Sequence, residues 1–127
     1  MFEFRRYKIK QGNKQVKHPK LIVDENDSQY GFMGLTSSKY KGRGHKNIVL
    51  LENPQFINGQ RLSKHSYLRR KIEYDSKDMF EEPLPDYSLS EVDKILIKDY
   101  VSKKLKKPWK KSTYYCVKSL APQPWIT

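Results

Sequence analysis

Two apolar runs separated by six polar residues constrain this chain more than any other feature. The first is Leu21-Ile22-Val23, entered through Val16-Lys17-His18-Pro19-Lys20; the second is Tyr30-Gly31-Phe32-Met33-Gly34-Leu35, leaving through Thr36-Ser37-Ser38. Asp24-Glu25-Asn26-Asp27-Ser28-Gln29 lies between them and is built of turn-forming residues. Two strands, over 19–24 and 29–36, joined by so short a loop make an antiparallel hairpin. In a hairpin the start of the first strand lies beside the end of the second. His18 and Lys17 are therefore expected near Thr36, Ser37 and Ser38. That gathers an imidazole, an ammonium and hydroxyls at one end of a sheet. Such a group can act on a phosphodiester, or it can be a polar sheet edge.

The remaining chain reads as short strands followed by one helix. Phe2 to Lys10 alternates apolar and charged residues, the period of a half-buried strand, and Gln11 to Gln15 is a polar loop. Ser37 to Asn47 is a basic loop carrying Lys39, Lys41, Arg43, His45 and Lys46, with Gly42 and Gly44 between them. Glycines let a backbone approach a phosphate closely, and they equally make a flexible solvated loop. Ile48 to Leu51 is a short buried strand ended by Asn53-Pro54. A loop over 55–64 follows, with a turn at Asn58-Gly59. Ser66 to Tyr74 has strand-like spacing, with Leu68, Ile72 and Tyr74 on one face if a bulge falls near Arg69-Arg70. Asp75 to Asp86 is an irregular crossing. Ser88 opens a capping box with Glu91, and Val92, Ile95, Leu96, Tyr100, Val101 and Leu105 then recur at helical spacing, an apolar face for core packing. Pro108 stops the helix, Ser112 to Val117 can add a last strand, and Pro122 to Trp125 is extended. The architecture implied is mainly β, with five or six antiparallel strands in a small barrel or rolled sheet and one C-terminal helix.

Charge and cysteine content narrow the function. At 127 residues the chain makes one domain of ordinary size. Lys plus Arg number 26 against 14 Asp plus Glu, a formal net charge of +12, which favours a polyanionic partner: RNA, DNA, anionic lipid or an acidic protein. No stretch approaches the roughly 20 apolar residues of a membrane span. No secretory signal is visible, and with Cys116 as the single cysteine an internal disulfide and a cysteine-based zinc finger are excluded. A cytoplasmic setting follows as the default. Three scattered histidines, and acids without ligand spacing, give no metal site, and no cofactor motif is present.

Candidate residues follow from residue type and placement. His18 precedes proline, so its backbone is extended, and it is a proton donor or phosphate ligand, or simply a surface histidine. Thr36 and Ser37 are phosphate-binding hydroxyls or ordinary strand-end residues. His45 is a second acid or base, able with His18 to supply both halves of metal-free RNA cleavage. Lys17, Arg43, Lys46, Arg69 and Arg70 are candidate phosphate contacts. Tyr30, Tyr40, Tyr67 and Trp109 can stack on unpaired bases, although Tyr30 and Tyr67 suit a core equally well. His65 reads as structural and Cys116 as a small apolar filler.

The stretch from Val16 to Val23, with its X-Pro opening and apolar run, and Gly34-Leu35-Thr36-Ser37 at the end of the next strand, resemble the MazF/PemK toxin family over roughly residues 4–106. The resemblance implies an SH3-like barrel over 1–106 closed by a helix over 88–106, with 107–127 as a basic, aromatic extension outside it. It also implies a metal-independent endoribonuclease, in which the RNA 2'-hydroxyl attacks its own phosphate to leave a cyclic phosphate and a free 5'-hydroxyl. Single-stranded RNA would be the substrate, and a homodimer and an acidic antitoxin the partners. His18 takes the place of the family's arginine and Thr36 that of its hydroxyl. The family's Gly-Ser-Glu-Gln stretch is replaced by the polar basic loop over 11–17. Histidine for arginine exchanges a permanent, forked cation for a group that can transfer protons. It is equally compatible with loss of cleavage. The alternative is a non-catalytic basic binding module of a phage, plasmid or other mobile element, directed at nucleic acid or an acidic protein.

Overall fold

The computed structural model describes residues 1–8, 18–41 and 45–105, with Lys41 and His45 described by their backbone alone. The expected hairpin forms, with β2 at Lys20–Glu25 and β3 at Gln29–Thr36, antiparallel. Asn26 builds its turn: its side-chain oxygen accepts from the amides of Ser28 at 3.0 Å and Gln29 at 2.8 Å. The register runs Lys20 to Gly34, Leu21 to Met33 and Ile22 to Phe32. It then shifts by a bulge at Val23, so that Asp24 faces Gly31.

The strand β1 (Phe4–Arg5) pairs on the free edge of β2. It is far shorter than the strand expected over 2–10, although Tyr7 makes one further bridge to Phe80. The other edge of β3 is shared. Its first half pairs with β10 (Glu73–Ser76) and its last two residues pair with β9 (Tyr67–Leu68), which in turn pairs with β6 (Ile48–Val49). The single strand expected over 66–74 is thus two strands, broken at 69–72 where the chain moves along β3. The path runs β1-β2-β3-β9-β6, with β10 beside β3. Among the described residues it stays an open antiparallel sheet and does not close into a barrel. Two ribbons lie outside it: β4 (Tyr40–Lys41) with β5 (His45–Lys46), and β7 (Phe56–Ile57) with β8 (Gln60–Arg61). The second occupies a stretch expected to be loop. Its turn is the Asn58-Gly59 pair, at φ 54° and 79°, both in the left-handed region that a tight hairpin turn requires. A 3-10 turn at Lys77–Met79 interrupts the crossing after β10.

The two faces of the sheet bury different things. One carries Phe4, Leu21, Met33, Leu35, Leu68 and Ile48, all buried and paired across the strands, and Leu50 is buried after them. Each such side chain contributes roughly 1.5–3 kcal/mol. The other face carries an aromatic cluster, Ile22, Phe32 and Phe80 with Tyr7, Tyr30 and Met79 against them. Ring pairs there tilt edge to face at 5.0–5.9 Å. Tyr30 is therefore a half-buried residue packed against this cluster, the core place the sequence offered for it.

Two phenols in this region are tied to carboxylates. Tyr7 donates to Asp75 at 2.8 Å, and Tyr74 donates to Asp24. Burial first, and then these acids, raise both phenols above their ordinary range. A proton held more tightly in the folded state stabilises it below about pH 10, and that stabilisation is lost as pH rises further. Urea titrations above pH 10 should show stability falling steeply with pH, and less steeply in Tyr7→Phe/Tyr74→Phe. Equal slopes in the two proteins would contradict the assignment.

The helix α1 runs Glu91–Leu105, three residues shorter at its start than the expected 88–106. The cap is Ser90, whose hydroxyl accepts from the Asp93 amide at 3.1 Å and whose carbonyl accepts the first helical bond from Lys94 at 2.9 Å. Ser88 is instead tied by its amide to the Pro54 carbonyl at 2.8 Å, and Leu89 is buried, so the chain cannot turn helical before Ser90. The buried stripe of α1 is Asp93, Ile97 and Val101. Val92, Ile95 and Leu96, expected in the core, are exposed, Ile95 by 71%. The chain divides within α1 into two units, Met1–Lys94 and a second beginning at Ile95. No helix among the described residues is long and apolar enough to cross a membrane.

Candidate nucleic-acid interface

Directly opposed residues in an antiparallel sheet share a face, and alternate residues along a strand share it too. Following β3 on the face of the aromatic cluster gives three successive rows. The first is Ile22-Phe32-Glu73, under Phe80 and Tyr7. The second is Lys20-Gly34, extended by Arg69, whose amide donates to the Gly34 carbonyl at 2.9 Å. The third is Thr36-Tyr67-Val49. The hydrogen bond from the Leu35 amide to the Pro19 carbonyl, 3.0 Å, carries the hairpin one pair past Lys20, and His18 is the next residue along the chain. Covered and apolar at one end, the face becomes cationic and then open.

The cationic row depends on Gly34. Arg69 lies across it, its Cδ 3.2 Å from where a β-carbon would sit, so any larger residue would displace the arginine. Among the described residues no carboxylate pairs with Arg69, which is exposed. Lys20 is 9% exposed. Its ammonium lies 4.5 Å from the centre of the Tyr7 ring and donates to the His18 carbonyl at 3.2 Å. Burial lowers its pKa; the Glu73 carboxylate opposes that and the Arg69 guanidinium adds to it. Lys20 and Arg69 thus share one row, and the Glu73 carboxylate of the adjoining row acts on Lys20 more strongly than Arg69 does.

Around this row the expected residues take distinct places. His18 is exposed at the mouth of the hairpin. The hydroxyl oxygen of Thr36 accepts from the Ser38 amide at 3.2 Å, which orients the hydroxyl and leaves its proton for an outside acceptor. Ser37 is exposed beside it. Arg70 donates to the Lys46 carbonyl at 2.8 Å, joining the end of β9 to the β4–β5 ribbon, and it makes further contacts besides. Lys46 is exposed. The backbone of His45 pairs with Lys41, five residues beyond Thr36, so the strand register does not bring it to His18. Tyr40 is exposed in the same ribbon. Lys17, Gly42, Arg43, Gly44, Trp109 and Cys116 lie outside the described residues, as do the loop over 11–17 and everything from 107 on, including the last strand expected at 112–117.

Sequence reasoning missed Lys20, because a lysine at the head of an apolar run reads as the outward member of a strand. The signal was its position two residues after His18, which alternation places on the same face. Among the described residues no group of three or more His, Cys, Asp or Glu side chains is placed to hold a metal ion. Comparison with protein-family models, with curated proteins and with solved structures found no match to this chain.

Proposed function

We propose that this chain is a toxin-like endoribonuclease, a divergent relative of the MazF/PemK toxins, working without a metal on single-stranded RNA from an open antiparallel sheet. The observation that supports this reading most is the row of Lys20, Gly34 and Arg69 on the sheet face, with the Thr36 hydroxyl in the next row and His18 exposed at the mouth of the hairpin. Arg69 and the Thr36 hydroxyl would hold the non-bridging oxygens of a phosphate. Lys20 would add field from below while fixing the His18 backbone. The ribose 2'-oxygen then bonds to phosphorus as the bond to the 5'-oxygen breaks. One proton leaves the 2'-hydroxyl and one reaches the departing 5'-oxygen, and the imidazole of His18 is the group on this face suited to one of these transfers. The formal charge of +12 supports a polyanionic substrate.

The test is incubation of the purified chain with end-labelled single-stranded RNA in EDTA. Cleavage to cyclic-phosphate and 5'-hydroxyl ends is expected, with His18→Ala slower by about 10²–10⁴-fold. Cleavage that EDTA abolishes, or that His18→Ala leaves intact, would overturn the reading. The histidine in place of a phosphate-forking arginine favours one second reading, a non-catalytic basic module on the same sheet. Intact RNA bound with an affinity falling linearly against log salt would identify it.

A further inference from the structure

The third row of the open face ends in residues that the cleavage chemistry does not use. Tyr67 stands directly opposite Thr36 on one side and Val49 on the other, while its neighbour Leu68 points into the opposite core. The rings of Tyr7 and Tyr30 are wedged against Phe80. Among the described residues the one ring contact recorded for Tyr67 is with His65, centres 6.5 Å apart and planes inclined at 37°. Val49, at the edge-strand end of the row, is 42% exposed, and His65 is exposed. A half-buried phenol ring thus has an aliphatic side chain on one flank and an imidazole near it, and among the described residues it lies outside the aromatic cluster. Adjacent strands are spaced about 4.8 Å apart, so Tyr67 lies one strand from the Thr36 hydroxyl. Arg69, two residues on along the same strand face, lies beside both.

We infer that Tyr67, flanked by Val49 and His65, is a nucleobase seat, on which an unpaired base of the RNA stacks while the adjoining phosphate lies at Thr36 and Arg69. The inference rests on the proposed reading of that phosphate site and adds to it the recognition of the base. A stacked base makes the preference one for unpaired over duplexed RNA, since a base inside a helix has no free face to offer. The aromatic face accepts any base, so the seat selects for strandedness more than for sequence.

The experiment compares a fluorescein-labelled 2'-O-methyl oligonucleotide, which lacks the attacking hydroxyl, with an abasic strand of the same backbone and length. Binding is measured with the full chain at one fixed salt concentration. The wild type should bind the base-bearing strand about 5- to 100-fold more tightly. Tyr67→Ala should bind both strands as the wild type binds the abasic one, and Tyr67→Phe should keep the preference. Tyr67→Trp should show indole emission quenched by the base-bearing strand and not by the abasic one. Should Tyr67→Ala prove unstable, the Phe and Trp variants carry the test alone. A base preference that survives Tyr67→Ala, or a Tyr67→Trp emission blind to the bases, would overturn the seat while Arg69→Ala still weakens both strands. If instead Arg69→Ala leaves both affinities unchanged, or the wild type binds neither strand, the phosphate site itself is refuted.

Discussion

Asp93→Ala should lower the stability of this chain by about 2–4 kcal/mol and lower its melting temperature by roughly 10 °C. Asp93 is fully buried, and its two carboxylate oxygens are both engaged, one by the Leu51 amide at 2.9 Å and the other by the Glu52 amide at 3.1 Å. These donors sit just after the buried Leu50, so the carboxylate joins the first turn of α1 to the end of the strand region. A carboxylate there also meets the positive end of the helix. Alanine leaves two amides without their acceptor and a cavity beside them. Asp93→Asn keeps the shape and one good acceptor, so it should lose about half as much. Urea denaturation measures both, and hydrogen exchange should quicken first at the Leu51 and Glu52 amides. A loss below about 0.5 kcal/mol for Asp93→Ala would mean that the carboxylate is dispensable.

Gly31→Val should destabilise by about 3 kcal/mol, a different failure because nothing is removed. The ring of Tyr74 crosses over Gly31 to reach Asp24 on the far side of β3. A β-carbon on Gly31 would lie 2.7 Å from Tyr74 Cε2 and 3.0 Å from Asp24 Cβ. Both neighbours are fixed, the first by its hydrogen bond and the second by the bulge at Val23, so neither yields easily. The decisive measurement is a double-mutant cycle: Gly31→Val should cost much less once Tyr74 is alanine. If the two losses simply add, overpacking against the ring is the wrong account.

The sequence is transparent in the β2–β3 hairpin and opaque at these two sites. The hairpin of β2 and β3 could be read to within a residue because its cues are local: apolar runs of strand length and an Asn-containing turn. The expectation that residues 18 and 36 lie near one another followed from hairpin topology, and the observed pairing runs as far as Lys20 with Gly34. Failure came where tertiary burial chooses among locally equivalent options. Ser88 and Ser90 are both serviceable caps, and the burial of Leu89 decides between them. The apolar spacing of Val92, Ile95 and Leu96 was real but faces water, because the inward stripe begins with a charged residue, Asp93, which no hydrophobic pattern reveals. The ribbon of β7 and β8 was invisible because two-residue strands are too short to show a period. Lys20 was passed over for Lys17, since from sequence alone a lysine is assumed to be solvated.

The three rows along β3 have a consequence for how reliably the site is assembled. A strand that slips by one residue turns every side chain over. In this sheet such a slip would expel Phe32 from the aromatic cluster and carry Thr36 to the core side in the same movement. A misaligned chain that keeps a solvent-facing Thr36 by chance has no well-packed interior to hold it. Hydrophobic packing therefore proofreads the spacing of the polar groups, and a molecule stable enough to persist is one in which Lys20, Arg69 and Thr36 already stand in line.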